Sequence, residues 1–181
     1  MNSGNSPLRG VEHVSRKRSE VDREGALQVD PIDGVAFRMT RAVPHEDGHL
    51  TEILKSTWEI AGEPIVQVQA TTTFPGRIRA WGLHRHNVDR LFVASGLLRI
   101  VCYDGREGSP TFGRVNAFTV SEKNPGLLRI PPDIYHGWKN IGVTEAIVIN
   151  LPTTLYDYDR PDSFDLPWDG EAARRLIPYS W

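Results

Sequence analysis

The chain has 181 residues, 39% of them hydrophobic and 24% charged, with 21 Lys and Arg against 23 Asp and Glu for a formal net charge of −2. That balance supplies no basic field for nucleic acid or an anionic membrane surface, and no apolar run approaches the ~20 residues of a membrane-spanning helix. The 16 Gly and 13 Pro would break the interiors of a helical bundle and suit many short strands joined by tight turns.

Residues 1–30 are polar and charged, with Arg16-Lys17-Arg18, Glu20, Asp22, Arg23 and Glu24 and no clear period. They read as an N-terminal arm, disordered or draped over a neighbour. Residues 31–181 read as one domain with a C-terminal extension. Ile65 to Ala70 alternates with period two, placing Val66, Val68 and Ala70 on one face and Gln67 and Gln69 on the other. Pro75-Gly76 marks a turn, and Ile78 to His84 reads as a strand. Leu91 to Ala94 and Leu97 to Tyr103 read as a hairpin hinged on Ser95-Gly96. Asp104 to Pro110 is a loop, Arg114 to Val120 a strand, and Asn124-Pro125-Gly126 a turn into Leu127 to Ile130. Pro131-Pro132 closes that strand. Thr144 to Leu151 is a further strand, and only Gly170 to Leu176 has the composition of a short helix. Strands at this spacing imply an all-β sandwich, jelly roll or barrel. Cys102, the lone cysteine, can form neither an internal disulfide nor a cysteine cluster for zinc; it reads as a buried small hydrophobe. With no signal-peptide core at the start, the expected compartment is a reducing cytoplasm.

Three histidines fall in strand-like context. His84 and His86 are two apart, which in an extended strand aims both at one face, and His136 follows the proline-rich strand end. Asp89 and Arg90 lie just beyond the first pair. Two chemistries suit such a group. Imidazoles converging with a carboxylate make a divalent metal site, here from His84, His86, Asp89 and His136. Alternatively, one imidazole is a general base beside cations that stabilise an enolate. An exposed pair facing only solvent is the uneventful reading.

The same residues carry a resemblance. His84-x-His86, Gly96, Pro131, His136 and Asn140 are similar to the two-part cupin motif. Asp104-Gly105-Arg106-Glu107-Gly108-Ser109-Pro110-Thr111-Phe112-Gly113 resembles a loop of the dTDP-4-dehydrorhamnose 3,5-epimerases. Ser121-Glu122-x-Asn124 and Ile130-Pro131-Pro132-x-x-x-His136-Gly137-Trp138 resemble further segments of that family, as do Val66 to Gln69 and Gly76-x-x-Arg79. The likeness spans roughly Asp47 to Asp169. It implies a double-stranded β-helix (a cupin jelly roll), usually a homodimer, acting without a metal cofactor on thymidine-diphosphate 4-keto-6-deoxy sugars. By position it makes His84 the base, with His136 in support. Arg79 and Arg90 would hold phosphates or the enolate oxygen. Gln67, Gln69, Trp138 and Tyr156 would contact the sugar or nucleotide.

The sequence also departs from the family. Arg79-Ala80-Trp81-Gly82-Leu83-His84 carries two residues more than the family's Arg-Gly-Leu-His run, and the family's lysine after the base appears as Arg90. No tyrosine stands in the strand holding Val148-Ile149-Asn150, where the family keeps its proton donor. The aspartate that orients the family's base is missing from the tail, and Glu46-Asp47-Gly48 lacks the family's arginine. The resemblance thus implies proton abstraction next to the ketone of a nucleotide-linked sugar. A metal cupin or a non-catalytic sugar-nucleotide binder are the alternatives.

Overall fold

The structure, a computed structural model, describes Ser15, Arg23 and residues 30–181. The arm expected over residues 1–30 therefore lies outside the described residues, those three positions apart. Two five-stranded antiparallel sheets make up the domain. One has the order β1 (Ala36–Met39), β9 (Gly126–Ile130), β6 (Asp89–Ser95), β11 (Ala146–Asn150) and β4 (Gln69–Thr73). The other runs β12 (Phe164–Asp165), β5 (Ile78–Leu83), β10 (Ile134–Asn140), β7 (Leu97–Asp104) and β8 (Val115–Ser121). A separate hairpin joins β2 (Ala42–His45) to β3 (Gly48–Thr51), and α1 (Glu171–Leu176) is the one α-helix among the described residues. None of the described helices is long and apolar enough to cross a membrane. This is a jelly roll, one of the architectures that the strand spacing allows and the one that the family resemblance implies.

Period-two alternation distributes the apolar side chains. Leu91 and Val93 of β6 meet Leu98, Ile100 and Cys102 of β7 in the core between the sheets. Phe92 points the other way, into a second layer with Ile60, Leu127 and Leu151. A third cluster packs α1, through Ala173, and Ile177 after it on Trp81, Val101 and Tyr103. Covering both faces of β6 leaves it buried from Asp89 to Val93.

Two expectations are corrected. The segments around Ser95-Gly96 do not pair as a hairpin: β6 lies between β9 and β11, while β7 lies between β10 and β8 in the other sheet. Gly96 has φ +84, and a Cβ there would stand 2.6 Å from the Cα of Ala146, so this position turns the chain across the sandwich where only glycine fits. The strand expected from Ile65 begins only at Gln69, since its partner β11 ends at Asn150 and Pro152 cannot extend the ladder. Ile65, Val66 and Val68 are exposed. The strand-like context expected of His136 holds: Ile134 to Asn140 is a central strand; His-Gly-Trp-Lys-Asn has little strand propensity, and burial between β5 and β7 overrides it.

The ten-residue loop that carries the family resemblance is a structural knot. Asp104 is fully buried. Its Oδ1 accepts from the Arg106 backbone N–H and Nε, and its Oδ2 from Arg106 Nη2, Ser109 Oγ and Thr111 Oγ1. Arg106 Nη2 and Thr111 Oγ1 in turn bind the backbone of Asp33, tying the loop to the start of the domain. Burial alone would raise the Asp104 carboxyl, but these donors outweigh it and hold it well below the ordinary value of 3.8. Its stabilisation is therefore present above that value and is lost as pH falls through the depressed one. Asp104→Asn should cost about 2–3 kcal/mol in urea unfolding at pH 7, with the gap to the parent protein closing as the solution is acidified.

Candidate functional site

A cavity of about 590 Å³ opens between the sheets. Its floor holds three titratable side chains from three places in the chain. Asp89 begins β6, and alternation turns it inward with Leu91. His136 comes from β10, beside a β-bulge: His136 faces Gly82 while Gly137 faces Ala80, so Trp81 is skipped. Such an irregularity re-aims a side chain. A Cβ on Gly82 would stand 3.4 Å from His136 Nε2, so the glycine leaves room for the ring. The Trp81 side chain packs outward with Tyr179 and Trp181.

His84 follows the end of β5 in a turn rather than within a strand. The Asp162 carboxylate makes that turn: Oδ1 accepts the Arg85 amide at 2.8 Å, and Oδ2 those of His86 and Asn87 at 2.9 Å each. Strand alternation therefore does not apply; His84 and His86 both line the cavity, but they do not share one cluster. The His84 ring enters the cluster, whereas His86 is exposed and stays out of it. That corrects the four-ligand set. Only His84, Asp89 and His136 bring donor atoms within 4.8 Å of one another, and among the described residues these are the ones that could meet a divalent ion.

His84 Nε2 lies 3.3 Å and His136 Nε2 3.1 Å from the same oxygen, Oδ2 of Asp89. The other carboxylate oxygen accepts from Asn87 Nδ2 at 2.8 Å and Asn150 Nδ2 at 2.9 Å. Each imidazole donates its Nδ1–H to a main-chain carbonyl, His84 to Asp162 and His136 to Ile134. Burial opposes charge on His84, but the Asp89 carboxylate and the Asp162 carbonyl outweigh it and push the imidazole up to about 9. Burial would likewise raise the Asp89 carboxyl, yet the two imidazoles hold it far below the carboxylate range. Asp162 and Asn150 are contributors that sequence reasoning missed as such. Asn150 stands where the family keeps a tyrosine, and Asp162 lies in an acidic stretch with Asp157, Asp159 and Asp165.

Around this floor stand Gln67, Gln69, Arg79, Trp138 and Tyr156, all lining the cavity. Trp138 is fixed by its Nε1–H donating to Thr73 Oγ1 at 2.9 Å. Gln67 Oε1 accepts the Tyr156 amide at 3.0 Å, joining the wall to the strap of residues 151–165 that borders the opening.

Arg90 is not brought to the cavity, which corrects its expected role as a phosphate or enolate contact. It follows Asp89 on β6 and so points to the opposite face. There its guanidinium donates to the carbonyls of Ala61, Glu63 and Pro64 on one side and of Leu151 and Pro152 on the other. It is fully buried.

Comparison with known proteins places these features in a lineage. Residues 31–173 match the family model of dTDP-4-dehydrorhamnose 3,5-epimerase. The chain is 37% identical over 141 residues to a probable low-salt glycan biosynthesis epimerase of Haloferax volcanii, across 76% of this chain and 89% of that protein. It is 32% identical over 150 residues to a spore coat polysaccharide biosynthesis protein of Bacillus subtilis, across 83% and 96%. A dTDP sugar isomerase of Desulfovibrio desulfuricans has the same fold, with a TM-score of 0.75 and 30% identity over 83% of this chain and 92% of that one.

The position of Arg90 makes its replacement a matter of stability. Lysine keeps the charge, but its compact ammonium lacks the planar fork that serves five carbonyls spread over two segments. Arg90→Lys should lower the unfolding free energy by about 3 kcal/mol through buried carbonyls left without a donor, read from the denaturant midpoint.

Proposed function

The chain belongs to the dTDP-4-dehydrorhamnose 3,5-epimerase family, and on that premise we propose that it isomerises a nucleotide-linked 4-keto-6-deoxy sugar by moving a proton next to the ketone. A hydrogen on the carbon beside a carbonyl becomes acidic when hydrogen-bond donors stabilise the enolate oxygen. One proton leaves that carbon and one returns, so the balance needs no redox cofactor, and we propose that no metal is required. The observation that carries this reading is the pair of imidazole Nε2 atoms, 3.3 and 3.1 Å from Asp89 Oδ2, on the floor of a cavity wide enough for a sugar.

His84 and His136 are the proton-transfer pair in this reading. Trp138 offers a face for the sugar or the base, Gln67 and Gln69 offer amides for hydroxyl groups, and Tyr156 closes the rim. Arg79, exposed on β5 and lining the cavity, is the cation placed to meet a diphosphate. We further propose a homodimer in the cytoplasm. β4 is an edge strand, and Ile65, Val66, Val68 and Phe74 beside it are exposed, an apolar ribbon that a second copy would cover.

The test is exchange in deuterated water with a thymidine-diphosphate 4-keto-6-deoxyhexose, followed by proton NMR of the sugar ring. Deuterium should enter at C3 or C5, and His84→Asn and His136→Asn should each slow entry by about 10²-fold or more. A substrate whose ring protons persist unchanged overturns the proposal. The same assay in a chelator should run at full rate; loss of exchange there would instead assign His84, Asp89 and His136 to a divalent ion.

A further inference from the structure

His84 and His136 meet at one carboxylate oxygen, but the fold sets the two rings in different ways. His136 belongs to β10, a strand held by β5 and β7, and its Nδ1–H donates to the Ile134 carbonyl of that same strand at 3.0 Å. Its place follows from the sheet itself. His84 lies past the end of β5, and its Nδ1–H donates to the main-chain carbonyl of Asp162, 78 positions away on the strap. The sequence lacks the aspartate with which the family orients its base, and here a main-chain carbonyl receives the ring instead.

The register of β12 brings that carbonyl to His84. Phe164 pairs with Leu83 and Asp165 with Gly82, so the chain leading into β12 runs past the end of β5 and lays Asp162 against the turn. There the carboxylate is committed to main chain: Oδ1 accepts from Arg85, and Oδ2 from His86 and Asn87. Three successive N–H groups converging on one anion form a nest, filled here by the protein's own side chain. These amides fall between elements, since β5 has ended at Leu83 and β6 begins at Asp89. A charged acceptor makes stronger bonds than a neutral one, so the carboxylate dictates the course of the turn. From the other side the Asp133 N–H donates to the His84 carbonyl at 2.8 Å. The His84 backbone is thus clamped, and one of the two residues that clamp it also supplies the acceptor for its ring.

We infer that Asp162 is a positioning residue for His84: its carboxylate shapes the turn that carries the histidine, and its main-chain carbonyl aims the imidazole into the cavity. The inference rests on the proton transfer proposed above, in which His84 takes part, and adds the residue on which that part depends. Asp162 also lines the cavity, so acting through His84 must be separated from holding the sugar directly. A residue acting through His84 alters the chemical step, whereas one holding the sugar alters its binding. Three amides on one carboxylate leave little of it for a sugar hydroxyl, which favours the first.

Asp162→Ala separates the two, because it removes the carboxylate and keeps the main-chain carbonyl. In the exchange assay with a thymidine-diphosphate 4-keto-6-deoxyhexose, kcat should fall by about 10²-fold, as for a reacting group misplaced by roughly 1 Å. KM should stay within about threefold of the parent value. Formate, small enough to enter the emptied nest, should restore much of the lost kcat. Formamide, of the same size but neutral, should not.

The second readout needs no substrate. In ¹H–¹⁵N spectra of the imidazoles, each ring is assigned by its loss in His84→Gln or His136→Gln. The parent protein should show both Nδ1–H protons protected from solvent exchange. Asp162→Ala should lose that protection at His84 and keep it at His136, with an unchanged circular dichroism spectrum. A KM that rises while kcat holds makes Asp162 a substrate contact and overturns the inference. A His84 Nδ1–H that is unprotected in the parent, or still protected in the variant, overturns it as well. If Asp162→Ala does not fold, Asp162→Asn, which must turn an NH₂ toward at least one of the three amides, should give the same split in direction. Should that variant also fail to fold, protection of the His84 Nδ1–H in the parent decides. A parent protein that exchanges no ring proton refutes the proposed reaction, and the imidazole spectra still decide whether Asp162 sets His84.

Discussion

Two oppositely charged neighbours on one buried strand, Asp89 and Arg90, set the arrangement of everything around them. Alternation sends them to opposite faces of β6, and both are almost wholly buried, at 3% and 0% exposed. Buried charge is costly unless each ion finds its full complement of partners. These two do not neutralise each other. Asp89 is satisfied inside the cavity by two asparagine amides and two imidazoles. Arg90 is satisfied on the outer face by five carbonyls. The inward ion gathers the two imidazoles, and the outward one gathers the chain that frames them. Arg90 draws together the segment before β4, which carries Gln67, and the start of the strap, which carries Tyr156.

The strap binds back to the floor through atoms that do not look functional in the sequence. Asp162 spends its carboxylate on three amides of the turn after β5, and its main-chain carbonyl receives His84 Nδ1. Asn87, in that same turn, accepts the amides of Thr153 and Thr154 through Oδ1 and donates to Asp89 through Nδ2. One asparagine thus ties the beginning of the strap to the central carboxylate. The turn cannot shift without disturbing His84, Asp89 and the strap together.

How much of this was legible follows from the kind of interaction involved. The strands whose apolar residues alternate or run together, such as Leu97 to Tyr103, were readable because burial and period reinforce each other. β10 was not, because its position between β5 and β7 compensates for a composition that no propensity favours. Gln67, Gln69, Arg79, Trp138, Tyr156, His84 and His136 could be nominated from spacing and resemblance, and all line the cavity. Arg90 was misplaced by one position: charge type pointed to it, but strand parity chose Asp89. His86 failed for a related reason, since the parity argument holds only in extended chain, and the Asp162 carboxylate bends the chain there. Asp162 itself acts across 78 positions on His84, and no local pattern announces so distant a contact.

The Asp104 knot and the Asp89 cluster show why resemblance and mechanism need not reside in the same residues. The knot holds the most specific run of matching residues, yet each of its bonds ends on the loop itself or on Asp33. It maintains a corner of the sandwich and touches no part of the cavity floor. Such a unit tolerates little change because one buried carboxylate serves five donors at once. The floor is built differently, from side chains of the turn after β5, of β10 and of β11 that meet at Asp89 on β6. The two imidazoles even differ in how firmly they are set. His136 is fixed by a carbonyl two residues away on its own strand, at 3.0 Å, whereas His84 depends on a carbonyl brought by the strap. Ring positions that rest on separate elements can shift independently while the sandwich that carries them stays the same.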